Sequence, residues 1–123
     1  MLQVVTLFSV PEETAVTFAN SIRRGGDWHI HACRFSPDLI ATDLLEHLDS
    51  SRSRFLNSSS RLFLTIDFWS SHEAYLRAER SPEFQALLLA RRRMATSAFE
   101  FGAFNFPTVI EVASELYERP DHF

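Results

Sequence analysis

Residues 61–69, RLFLTIDFW, alternate without a break: Leu62, Leu64, Ile66 and Phe68 fall on one side, Phe63, Thr65, Asp67 and Trp69 on the other. A strand with one wholly apolar face and one mixed face leaves neither to water, so the sheet that contains it needs two covers. A chain of 123 residues has room for one domain, taken here as 1–123, and one helical layer covers only one face. A symmetric second copy is expected to supply the other cover.

Composition supports a globular domain, with 46% hydrophobic and 23% charged residues and only 3 Gly and 5 Pro. The net charge of −4 argues against a nucleic-acid or anionic-membrane surface. The longest apolar run, Ala86 to Ala90, falls far short of the roughly 20 residues of a membrane span. Cys33 is the lone cysteine and LQVVTLFSV after Met1 has no basic region, so the expected compartment is the cytoplasm.

The chain opens with a strand at residues 2–8, then Pro11 with Glu12 and Glu13 starts a helix, in which Ala15, Val16, Phe18, Ala19 and Ile22 recur at helical spacing. Gly25 and Gly26 stop it. DWHIHACRF, residues 27–35, alternates Trp28, Ile30 and Ala32 with His29, His31 and Cys33 and reads as extended. LIATDLLEHLD reads as a strand with Ile40, Thr42, Leu44 and Leu48 on one side, and the serine-rich residues 49–60 as a loop. After the strand at 61–69, Ser70 with Glu73 has capping-box spacing. Ser81-Pro82-Glu83 repeats the start signal, which predicts a break near Arg80 and a second helical segment ending near Met94, with Phe84, Leu87, Leu88 and Arg91 on one face. Arg91, Arg92 and Arg93 read as solvated charge on the helix's C-terminal end. Phe99, Phe101, Phe104 and Phe106 predict a last strand, interrupted at Gly102 and Pro107 and resumed at 108–112, and the polar end reads as a tail. The order is βαββαβ, the split βαβ of an α+β, ferredoxin-like sheet.

The run DFWSSHEAYLRAERSPEFQALL, with LLEHLD and SRFLN upstream, resembles the antibiotic-biosynthesis-monooxygenase-like family. That resemblance implies a dimeric α+β barrel in which two ferredoxin-like units pack sheet to sheet. It also implies a cofactor-independent monooxygenase acting on a small or polycyclic aromatic phenol or quinol. A non-catalytic dimeric ligand-binding or interaction module of the same fold is the alternative, because one fold carries many functions. The haem-degrading branch is similar in having a Trp at Trp69, but its haem-ligating His falls at Leu88 here, and the Asn of its first strand is missing from LQVVTLFSV. No haem is expected.

Two constellations are candidates for chemistry. His29, His31 and Cys33 share a face if residues 28–35 are extended, but no fourth ligand is evident and no metal is expected. Asp67, Trp69, His72 and Tyr75 cluster at a strand-to-helix junction. In the catalytic reading His72 accepts a proton, Asp67 orients its imidazole, and Trp69 or Tyr75 donates to a developing phenolate. In the structural reading Trp69 is core, Asp67 caps or pairs with an Arg, and His72 is exposed.

Overall fold

The computed structural model describes residues 1–47 and 60–105, in the order β1 (Leu2–Pro11), α1 (Glu12–Ile22), α2 (Asp27–Phe35), β2 (Leu39–Glu46), β3 (Ser60–Trp69), α3 (His72–Glu79), α4 (Pro82–Arg93) and β4 (Ser97–Asn105). The strands form one sheet in the order β2-β3-β1-β4, with every neighbouring pair antiparallel. This is the ferredoxin-like arrangement expected from the sequence, with the second connection divided into two helices near Arg80 as expected and the first connection holding two helices instead of one. None of the described helices is long and apolar enough to cross a membrane.

The central pair is β1 and β3, in register from Leu2↔Trp69 to Pro11↔Ser60. On the helix side β1 buries Leu2, Val4, Thr6, Phe8 and Val10, and β3 buries Phe63, Thr65, Asp67 and Trp69. The mixed face of β3 is therefore the one beneath the helices. Its apolar face, Leu64, Ile66 and Phe68, stands half-buried on the other side of the sheet. Thr65 carries the one buried side-chain oxygen among the described residues that lacks a hydrogen-bond partner. Replacing it by an apolar isostere removes that desolvated hydroxyl, so Thr65→Val is expected to leave the urea midpoint unchanged or raise it. A loss above about 1 kcal/mol would mean that the hydroxyl has a partner.

Residues 27–35 form α2, which corrects their reading as an extended segment. Gly26 is the extended N-cap, Asp27 lies in the first turn, and Trp28, His29 and Ala32 are buried at a helical spacing that coincides for a few residues with strand alternation. The turn before α2 needs glycine: a Cβ at Gly26 would lie 2.3 Å from the carbonyl oxygens of Asn20 and Ser21. α2 is tied to α4 by the Trp28 indole N–H, which donates to the Leu87 carbonyl at 2.7 Å.

Smaller differences follow from geometry. α1 buries Ala15, Phe18 and Ile22 but exposes Val16. A bulge between Leu39 and Ala41 turns Ile40 outward while Thr42 stays buried. The N-cap of α3 is Ser71, whose hydroxyl accepts from Ala74 N at 3.1 Å, whereas Ser70 donates to Asp38 at 2.8 Å. Ser81 caps α4 as expected, accepting from Phe84 N at 3.3 Å. In β4, Gly102 sits at a register shift with φ +127°, a conformation that favours glycine. Leu48, most of the serine-rich loop and the strand expected at 108–112 lie outside the described residues.

Candidate active site

Between the helix side of the sheet and the α3–α4 pair lies a cavity of about 390 Å³, a size typical of small-molecule sites. Trp69, the last residue of β3, forms its wall, with the Tyr75 ring edge-on at 5.6 Å and the Phe84 ring edge-on at 5.3 Å. Two caps place these rings. Ser71 starts α3 so that Tyr75 falls in its first turn, and Ser81 with Pro82 starts α4 so that Phe84 falls in its own. Phe8 and Val4 from β1, Leu88 and Leu89 from α4 and Ala98 from β4 add to the apolar lining. Leu88 thus presents an aliphatic side chain to the cavity.

The floor is ionic. Arg91 is only 4% exposed and forks onto Asp67, Nη1 donating to Oδ1 at 3.0 Å and Nη2 to Oδ2 at 2.9 Å. The Thr42 hydroxyl donates to the same Oδ1 at 2.8 Å. The guanidinium lies 4.5 Å from the Trp28 ring centroid and 5.3 Å from that of Phe8, so its charge is held between π-faces as well as by the carboxylate. Arg91 is accordingly not the solvated helix-end charge expected of it. Asp67 pairs with an Arg, as in the structural reading.

Tyr75 supplies the polar handle. Its hydroxyl donates to Glu100 Oε1 of β4 at 3.2 Å. Burial, the nearby Glu79 carboxylate and Glu100 together hold the phenol far above its ordinary pKa, so Tyr75 is a donor and not a base. Glu79, Gln85, Arg92 and Glu100 also line the cavity.

Of the four residues singled out in the sequence, Asp67, Trp69 and Tyr75 thus meet at one cavity. His72 does not: it is the first residue of α3, exposed, and outside the lining. Asp67 is occupied by Arg91 and Thr42, so it does not orient the His72 imidazole. Arg91, Glu79 and Glu100 were missed as site residues.

The second constellation is also rearranged by α2. His29 and Cys33 are one turn apart, with Sγ 3.5 Å from Nε2, while His31 is exposed on the far side. Burial and the Arg24 charge lower the His29 pKa, and burial together with the Asp67 charge raises that of Cys33. The thiol donates to the Leu39 carbonyl at 3.6 Å, and His29 Nδ1 accepts from Gly25 N at 3.4 Å. The pair is a neutral packing contact. No group of three or more potential metal ligands comes together among the described residues.

No family model matches the chain, and no curated protein matches its sequence. Solved structures do match its shape. The cofactor-independent oxygenase SnoaB from Streptomyces nogalater, in a point-variant form, is 22% identical with a TM-score of 0.55, over 89% of this chain and 95% of that one. A Deinococcus radiodurans protein provisionally assigned as an antibiotic biosynthesis monooxygenase is 17% identical with a TM-score of 0.58, over the same shares. The fold is theirs. It is also that of the Arabidopsis thaliana protein At3g17210, 10% identical with a TM-score of 0.63 over 89% of this chain and 98% of that one. The antibiotic-biosynthesis-monooxygenase-like fold read from DFWSSHEAYLRAERSPEFQALL is therefore the fold observed.

Proposed function

We propose that this protein is a cofactor-independent monooxygenase of a hydroxylated aromatic substrate, working as a homodimer. The observation that carries the reading is the cavity in which Trp69, Phe84 and Tyr75 form an aromatic wall around a hydroxyl fixed as a donor. Its likeness in fold to SnoaB supports it.

An anthrone or quinol in its ionised form carries the electrons that oxygen needs. In the anthrone reaction, the methylene carbon loses two hydrogens and gains one oxygen atom as a carbonyl, and the second oxygen atom leaves as water. The chain's part is to exclude water with the aromatic wall and, once the substrate is ionised, to turn the Tyr75 hydroxyl from Glu100 to the phenolate. The Trp69 ring, buried and edge-on to both neighbours, holds the substrate plane.

Oxygen uptake with an anthrone tests this. Tyr75→Phe is expected to lower turnover about 100-fold with folding unchanged, the scale of losing one positioned donor. His72→Ala is expected to leave turnover unchanged, because its side chain stands outside the cavity. If no anthrone or quinol is consumed by the purified protein, the binding-module reading replaces the enzyme.

A further inference from the structure

Glu100 belongs to β4, where its pairing with Thr6 turns it to the helix side of the sheet, while Phe99 and Phe101 beside it project to the opposite face. It thereby lines the cavity from the strand opposite Tyr75. Any substrate hydroxyl entering this space brings a hydrogen that needs an acceptor, and the cavity offers few. Both Asp67 oxygens are taken by Arg91, and Thr42 adds a third hydrogen bond. The Tyr75 oxygen has already committed its proton to Glu100 and is held as a phenol. Glu79, on the last turn of α3, is the other carboxylate of the lining. Glu100 Oε1 is fixed by the Tyr75 hydroxyl, and no described side chain donates to Oε2.

We infer that Glu100 is the specificity-determining residue of the cavity, accepting the hydroxyl hydrogen of an aromatic substrate and thereby selecting free phenols over their ethers. The inference rests on the aromatic-substrate reading above and goes beyond it in naming what the substrate must present. Tyr75 spends its one proton on Glu100 Oε1, which fixes the carboxylate and leaves Oε2 to accept from the substrate. A hydrogen bond to a charged acceptor carries about tenfold or more in affinity. An ether forfeits that bond, and its methyl group also meets the carboxylate.

The test reads binding, not turnover, by calorimetry with 2-naphthol and 2-methoxynaphthalene, whose oxygen has no internal acceptor beside it. The wild-type protein is expected to prefer 2-naphthol by about tenfold or more. In Glu100→Leu that preference is expected to collapse, through weaker binding of 2-naphthol and little change for the ether, while Glu79→Leu keeps it. Glu100→Asp is expected to restore part of it. Circular dichroism should show all three variants folded, since Glu79 and Glu100 are both exposed. A preference that survives Glu100→Leu, or that vanishes instead in Glu79→Leu, overturns the assignment while leaving the aromatic site standing. If the wild-type protein binds neither compound, the aromatic-substrate reading fails and the role of Glu100 with it.

Discussion

Arg91→Ala is expected to lower the unfolding free energy by about 3–5 kcal/mol, the cost of leaving one member of a buried ion pair without the other. The truncation leaves the buried Asp67 carboxylate with the Thr42 hydroxyl as its one remaining side-chain donor among the described residues, and it also empties the space the guanidinium fills against the Phe8 and Trp28 rings. Asp67→Asn alone is expected to cost a comparable amount, because it leaves the buried Arg91 guanidinium without its counter-charge. Replacing both partners by apolar residues of similar volume, as in Asp67→Leu with Arg91→Met, is expected to recover most of the loss. Urea midpoints for the four proteins decide the matter. A single-variant cost below about 1 kcal/mol would mean that water reaches the pair and that the floor of the cavity is wet.

That ion pair shows where the sequence was readable and where it was not. Period two over residues 61–69 placed Asp67 correctly on the face of Phe63 and Trp69, and period 3.6 over 84–91 placed Arg91 on the face of Phe84 and Leu87. Each face proved to be buried, so a lone Asp on one and a lone Arg on the other signalled a buried pair. The helix-dipole argument for three consecutive arginines masked that signal: Arg92 and Arg93 are exposed, and Arg91, one step around the helix, is not. His72 failed for a related reason. A helix beginning one residue after Ser71 points its first side chain outward, and shifting the cap from Ser70 to Ser71 decides which residue that is. Glu100 was out of reach because it is positioned by the pairing of β4 with β1, a contact across more than ninety residues, together with a bulge at Gly102. The α2 error arose from nine residues in which His29, His31 and Cys33 alternate as a strand would, while the buried set of Trp28, His29 and Ala32 follows a helix.

Ile66→Arg is expected to convert a dimer into a monomer that still folds. Ile66 pairs with Val5 in the middle of the sheet and faces away from the helices, as do Leu64 and Phe68 on the same strand. On β4, Phe99 and Phe101 pack edge-on at 5.1 Å with 61% and 53% of their surface exposed, and Phe104 adds 46%. An apolar sheet face of this extent is what a symmetric partner covers, and a sheet-to-sheet interface of obligate type buries roughly 2,000 Å² or more. Placing a guanidinium at its centre puts two like charges close together across the two-fold axis and desolvates both, against no change in the core beneath the helices. Light scattering at micromolar concentration should therefore give twice the chain mass for the wild-type protein and the chain mass for Ile66→Arg, with superimposable far-ultraviolet spectra. The Tyr75 cavity lies on the other face of the sheet, so anthrone binding by the monomeric variant is expected to persist. A wild-type protein that runs as a monomer would leave the aromatic face uncovered in solution and remove the barrel assembly from the reading.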